Sequence, residues 1–509
     1  MAGWAQLFGA VLAAGALGWY VAIWTICLLG WKVAHELFGN PYPRSPLSAI
    51  CAESEREDAP LASSEPSSAA PGVSVLRPLA GLDCNLFTNL CSLFEQQYPS
   101  DRFEVLLSVM SDADQALPVA RQVVARYPHI ASNIIIGAAD SGVNPKINNL
   151  VRPYAEAKYD IVWVVDSQVW LAPQAMGRAV DALMMQPPSP PPAVLHRQPH
   201  GARVGLVHHV PLGVLPANTW GSHIERAFLS TTHAKMYLAI NAVAIDSCVM
   251  GKSNMYRKSD LAQVPDTFFA YDAEKGAGDD AIGSRAFDVP DAGAPESVVV
   301  DMQPPSHDVV QTASRPLARF GIYLAEDNML ALSLWRAPLN LAHRISPGDV
   351  AHVAVGDIQT IAEYAKRRMR WIRVRRHMVP AATYLEPLTE SLVAGVCGWI
   401  GLYTWLFVPL IGAVHGRMYY ALFSLFYALH LAAWYYVDIH VLSSLRCGNP
   451  LPDAESKYFF GAWCMRELLA FPIWLWAMVG STVTWRGKRY RILQDARAAR
   501  MSGDRGLAD

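Results

Sequence analysis

The chain has 509 residues, enough for one large domain or two ordinary ones, and 52% of them are hydrophobic against only 17% charged. That balance, with 16 Trp and 20 Tyr, departs from an average soluble protein toward a membrane protein, and a formal charge of −2 argues against a broadly basic nucleic-acid binder. The eight cysteines form no C-x-x-C pair and no zinc-like spacing, so they read as free thiols in a reducing compartment or in the bilayer.

Residues 1–31 contain no Asp, Glu, Lys or Arg. A helix of about 20 apolar residues spans the hydrocarbon core, and FGAVLAAGALGWYVAIWTICLLGW is long enough. A cleaved signal peptide would need a basic leader and a shorter apolar run, so 1–31 is expected to be a retained anchor. Lys32 and Arg44 follow it and nothing basic precedes it, which places the next region in the cytoplasm. Residues 52–72, rich in Glu, Ser, Ala and Pro, read as a flexible linker.

From 73 the pattern changes. VSVLRPL (73–79), FEVLLSVM (103–110), NIIIG (133–137) and YDIVWVV (159–165) are short apolar runs of strand length, with helix-like segments near 85–97, 115–127 and 146–157. Strands alternating with helices predict βαβ units and a parallel sheet covered on both faces. A proline-rich stretch at 186–194 and a polar one at 266–318 read as insertions into a domain spanning 73–388.

Ligands of open α/β sheets bind beyond the carboxyl ends of the strands. Asp114 and Asp166 each follow a predicted strand and so share that rim; a loop-capping role is the commoner reading of either alone. Neither G-x-G-x-x-G nor G-x-x-x-x-G-K-[ST] is present, which argues against a Rossmann dinucleotide site and a P-loop. Next comes AED (325–327) at a predicted helix start, where acids either match the helix dipole or serve as a general base. In RRMRW (367–371), Arg367, Arg370 and Trp371 fall on one helical face, suited to pyrophosphate or to lipid headgroups. Arg373, Arg375 and Arg376 read as a basic collar at the membrane.

Apolar segments follow at 391–416, 418–437 and about 458–485, the last interrupted by Arg466 and Glu467. If all three cross, the basic run 486–491 ends on the side opposite the catalytic region, against the positive-inside rule. Either one segment is re-entrant or the rule is broken.

The order of strand–Asp114, strand–Asp166, AED, R-x-x-R-W and spans resembles a GT-A glycosyltransferase, and the ceramide glucosyltransferases in particular. The resemblance is carried by GVNPKINNL (142–150), AKYDIVWVVDSQV (157–169), VGLVHHVP (204–211), TTHAKMYLAIN (231–241), YLAEDN (323–328), RRMRW and WRGKRYR (485–491). It implies an α/β, Rossmann-like GT-A domain in the cytosol, flanked by one N-terminal and about three C-terminal membrane segments (389–485) and a tail (486–509). It further implies a multi-pass protein of the Golgi or endoplasmic reticulum that moves glucose from UDP-glucose to ceramide.

By that resemblance Asp114 attends the nucleotide, Asp166 the diphosphate and a divalent cation (Mg²⁺ or Mn²⁺), and Asp327 is the base. Arg367, Arg370 and Trp371 serve the donor and leaving group. His233 and Cys248 match positions near the nucleotide-sugar pocket, and Lys146 is a donor contact. The site has DSQ rather than D-x-D, so one carboxylate must hold any metal. The alternatives are a processive polysaccharide synthase, which needs more spans, a transferase to another lipid, and a non-enzymatic scaffold for anionic lipids.

Overall fold

The computed structural model describes residues 2–47, 70–185, 203–214, 217–270, 309–485 and 487–501. Most of the expected linker, the 186–194 insertion and the 271–308 part of the second insertion lie outside the described residues.

Helix α1 (Ala2–Phe38) has 37 residues, about 55 Å at the usual rise. That exceeds a bilayer core, and its last turns carry Val33, Ala34 and Phe38 into the core of the catalytic domain. The domain is built on one eight-stranded sheet in the order β3-β2-β1-β4-β7-β6-β8-β5. Its strands are β1 (Val73–Leu79), β2 (Phe103–Val109), β3 (Ala131–Ile136), β4 (Ile161–Val165), β5 (Val169–Trp170), β6 (Val204–Val214), β7 (Ser253–Arg257) and β8 (Ala342–Ala354). Strands β3, β2, β1 and β4 are mutually parallel, as their continuous apolar runs predict, and β1 is buried along its whole length. Beyond them β7 runs antiparallel to β4 and β6, while β6 and β8 are parallel.

The helices that carry the site are α2 (Pro145–Glu156), α3 (Trp220–Phe228), α4 (Ala234–Val243), α5 (Glu326–Trp335) and α6 (Ile361–Arg375). Two of these starts have a clear local cause. Asn144 caps α2 through its side chain, with Pro145 at the first helical position; Thr360 and Glu363 form a reciprocal capping box at α6.

Three helices are long and apolar enough to cross a membrane among the described residues: Gln6–Phe38 within α1, Ser391–Ile411, and α8 (Gly416–Leu445). The second begins as α7 (Ser391–Leu402). The third C-terminal segment expected at 458–485 is helix α9 (Asp453–Met478), which is not among them. Its Arg466 and Glu467 are buried and ion-paired, Arg466 to both Glu390 and Glu467 at 2.6 Å. Tyr458 stacks on His223 of α3, and Trp474 donates to the Thr383 carbonyl, so α9 lies along the catalytic domain.

After α9 the chain forms a three-stranded antiparallel sheet of β9 (Thr482–Trp485), β10 (Lys488–Ile492) and β11 (Ala498–Arg500). Tyr323 bridges Arg497, and Val483, Tyr490, Ile492 and Ala498 pack with Leu324 and Val374. With this sheet docked on the catalytic domain, crossings by the two candidate helices Ser391–Ile411 and α8 alone would return the chain to the domain's side and remove the conflict posed by the basic run at 486–491. The collar reading of the last arginines is corrected as well. Arg373 donates to the carbonyls of Trp476, Ala477, Val479 and Thr482, Arg376 to those of Met478 and Gly480, and Arg375 pairs with Glu386. Arg373 and Arg376 thus satisfy carbonyls at and just beyond the end of α9, and Arg375 a carboxylate, rather than lipid phosphates.

Candidate active site

A cavity of about 380 Å³ opens at the carboxyl ends of β1 and β4. Asp166 follows β4 directly. Because β7 runs antiparallel to β4 with Ser253 opposite Val165, the residue before β7 falls beside the residue after β4. That residue is Lys252, whose Nζ stands 2.7 Å from Asp166 Oδ2, while the Asp166 amide donates to the Lys252 carbonyl. Lys146 reaches the other oxygen, Oδ1, at 2.8 Å and Glu326 Oε1 at 3.0 Å. Burial alone would raise the Asp166 pKa, but the two ammoniums overcome it and hold the carboxyl well below its usual range. Burial likewise opposes the charge on Lys146, and Asp166, Glu326 and Asp327 together push its pKa up instead.

Asn144 ties this cluster to the AED turn: its amide donates to the Tyr323 carbonyl at 2.7 Å and to Glu326 Oε2 at 2.8 Å. Both oxygens of Glu326 are therefore engaged. Asp327, the next residue, has its carboxylate against Gly251 and lines the cavity. Burial first, then the adjacent Glu326, pushes the Asp327 carboxyl up to about 6, with Lys146 opposing. A carboxyl so placed can hold or release a proton near neutral pH.

Helix α6 forms the opposite wall. Arg367, Arg370 and Trp371 all line the cavity, with the Arg367 guanidinium 4.7 Å from the Trp371 ring centre. Arg367 is held there by Glu225 of α3, at 2.8 Å. His233 lines the cavity with its ring stacked on Tyr237; burial, reinforced by Arg368 and Arg375, lowers it to about 3, so it is a neutral imidazole. Burial pushes the Cys248 thiol up to about 11. It is a packed wall residue rather than a nucleophile.

Asp114 does not line this cavity. Its Oδ1 accepts from the amides of Gly81 and Ala116 at 2.9 Å, so it anchors the loop after β1 and holds the first amide of the helix Ala116–Arg126. That loop carries Asp83, which lines the cavity and accepts a hydrogen bond from Ser167. The structure thus brings Asp166, Lys146, Asp327, Arg367, Arg370, Trp371, His233 and Cys248 around one space and leaves Asp114 behind it.

Sequence reasoning missed Lys252, Arg368 and Trp485 among the lining residues. It also missed Arg77, a fully buried arginine inside an apolar strand, which donates to the carbonyls of Ser167 (3.0 Å) and Val169 (2.6 Å) and pins the turn bearing Asp166. A charge interrupting VSVLRPL was the available signal for it.

Among the described residues no group of three or more His, Cys, Asp or Glu could hold a metal ion. Both Asp166 oxygens already pair with Lys146 and Lys252, so a hard cation there would compete with two ammoniums and take most of its ligands from a substrate's phosphates; the residues do not form a closed all-protein site.

The sequence profile of glycosyl transferase family 21 matches residues 46–266 and 316–498. The chain is 33% identical over 461 residues to a ceramide glucosyltransferase of Komagataella phaffii, covering 84% of this chain and 83% of that protein. It is 31% identical over 523 residues to one of Pyricularia oryzae, covering 95% and 93%. Among solved structures, a mannosyltransferase of Pyrobaculum calidifontis in complex with GDP-Man and Mn²⁺ aligns with a TM-score of 0.42 and 14% identity, over 86% of this chain and 98% of that one.

Proposed function

The chain belongs to glycosyl transferase family 21 and to the ceramide glucosyltransferases, and from that premise we propose that it transfers glucose from UDP-glucose to the primary hydroxyl of ceramide, giving β-glucosylceramide. The observation that carries the reading is the pairing, across one cavity, of a doubly lysine-bound Asp166 with an Asp327 whose carboxyl is raised to about 6.

In this scheme the diphosphate of the donor lies between Lys146 and Lys252 on one side and the α6 guanidiniums on the other. Asp327 accepts the hydroxyl proton as the ceramide oxygen attacks the anomeric carbon, and the bond from that carbon to UDP breaks on the opposite face. A single displacement with one base inverts the configuration, so an α-linked donor yields a β-glucoside. Lys146, Lys252, Arg367 and Arg370 stabilise the negative charge that builds on UDP. Mg²⁺ or Mn²⁺ held through Asp166 and the donor phosphates would add charge neutralisation there.

A two-chain lipid acceptor accounts for the architecture. The acceptor stays in the bilayer, so the site must sit at the headgroup plane, where α1 packs against α7 and α8 (Trp24 on Trp434, Tyr20 on His430) and the apolar helices gather in one bundle beside the domain. Lys32 and Arg44, following α1 with nothing basic before it, support a cytosolic side for that domain, and the family resemblance supports Golgi or endoplasmic reticulum membranes.

The test supplies membranes containing the chain with ceramide and radiolabelled UDP-glucose, UDP-galactose or UDP-N-acetylglucosamine in parallel. Lipid label from UDP-glucose, recovered as β-glucosylceramide, is the expected result. Label in a polymer, or only from another donor, overturns the assignment.

A further inference from the structure

The cavity has one wall that the chemistry above does not use. It is made by Leu324, Val374 and Trp485. Trp485 ends β9, beyond the last membrane-spanning helix, yet it packs against the cluster of Leu324, Val374, Val483 and Tyr490 that joins the C-terminal sheet to the catalytic domain. Its placement is fixed from three directions. Tyr323 bridges Arg497 from the sheet, Arg373 holds the carbonyls from Trp476 to Thr482, and Trp485 pairs with Lys488 across a turn whose Gly487 has φ +72°.

The position of this wall decides what it touches. Charged groups gather at the carboxyl end of β4, around Asp166 and its two lysines, which is the diphosphate side. Leu324 and Ala325 instead run directly into Glu326 and Asp327, so the wall adjoins the base, which must face the acceptor hydroxyl. The same wall lies at the last turn of α6 and just after α9, the end of the domain from which the chain leaves for the bilayer. An indole gives a large apolar face together with one N–H, which suits a molecule that is amide-bearing at its head and hydrocarbon beyond it.

We propose that Trp485, with Leu324 and Val374, is the acceptor-recognition wall: it takes the lipid acceptor beside Asp327 and thereby selects a hydroxyl carried on an apolar chain. The C-terminal sheet is then a working part of the site, brought back to it after the membrane segments. This inference rests on the lipid-acceptor reading above.

The experiment uses the full chain in detergent–lipid micelles, comparing wild type, Trp485→Ala and Trp485→Phe. It measures the KM for ceramide, the KM for UDP-glucose, acceptor-independent hydrolysis of UDP-glucose, and thermal stability. Expected for Trp485→Ala is a ceramide KM raised about tenfold or more, as the loss of a buried aromatic contact implies, with the UDP-glucose KM and hydrolysis unmoved. Trp485→Phe should restore most of the ceramide KM. An unchanged ceramide KM overturns the proposal, as does a parallel rise in both KM values with lowered thermal stability, which marks a merely structural residue. If wild type itself makes no glucosylceramide, the functional reading fails first, and that outcome is distinct from either.

Discussion

Lys146 Nζ stands 2.8 Å from Asp166 Oδ1 and makes its second ion pair with Glu326 at 3.0 Å, so one ammonium joins the acid after β4 to the turn that presents Asp327. Replacing it by methionine keeps the length and removes the charge. Lys146→Met should lower kcat/KM by about 10²–10³, as expected for losing one positioned charge at a developing anion, mainly through the KM for UDP-glucose. Steady-state kinetics with each substrate varied would check this. An unchanged donor KM would mean the ammonium is only a structural tie.

The pH dependence follows from Asp327. A base must be ionised to act, and burial raises this carboxyl to about 6, so the active form grows as pH rises through that value and is lost as pH falls below it. The kcat/KM profile should therefore have an acidic limb near 6 and be level above it. A limb near an ordinary carboxyl value would place the base elsewhere.

Gly251 tests the same residue sterically. A Cβ there would lie 2.5 Å from Asp327 Oδ2 and 2.8 Å from its Cβ, so the carboxylate would have to turn away. Gly251→Ala should reduce kcat at least tenfold, since about 1 Å of misplacement costs that much, while UDP binding changes little. Equilibrium binding of UDP alongside turnover would separate the two.

Lys235 of α4 and Asp438 of α8 pair at 2.7 Å with both side chains fully buried, and Trp463 donates to the second Asp438 oxygen. Removing one partner leaves a lone buried charge, costing about 3–5 kcal/mol. Lys235→Met should lower the thermal transition of the solubilised protein sharply, and adding Asp438→Leu should recover much of the loss. Additive losses in the double variant would contradict a coupled pair.

Chelation of divalent cations should weaken the use of UDP-glucose yet leave measurable transfer, because Lys146 and Lys252 remain on the diphosphate side. Transfer abolished by chelator and restored by Mg²⁺ or Mn²⁺ would show that the lysines cannot carry that charge alone.

The parallel half of the sheet was legible because its strands are near-continuous apolar runs, α2 was legible as a helix-like stretch near 146–157, and α6 through the helical spacing within RRMRW. Strands β6 (VGLVHHVPLGV) and β8 (AHRISPGDVAHVA) were not, since His, Pro and Gly interrupt both patterns, and Arg344 the second as well, although the pairing of β6 with β7 and β8 buries nearly all of β6. The form of segment 458–485 stayed open in the sequence because hydropathy alone cannot distinguish a spanning helix from one whose Arg466 and Glu467 are satisfied against the domain. Asp166, Asp327, Lys146 and the R-x-x-R-W residues could be named from their motifs. Lys252 could not: it reaches Asp166 only through the antiparallel register of β7 on β4, a contact 86 residues apart in sequence. Trp485 was hidden for the same reason, with the membrane segments between it and the site.

The most direct measurement follows glucose transfer from UDP-glucose to ceramide by wild type and by Asp327→Asn in the same membranes, with UDP-glucose binding measured on both. The expected result is β-glucosylceramide from wild type, a loss in turnover of about 10²–10⁴ in the variant, the span of a lost general base, and donor binding retained. Wild-type turnover in Asp327→Asn would contradict the assignment of the base, and no lipid product from either would contradict the reaction itself.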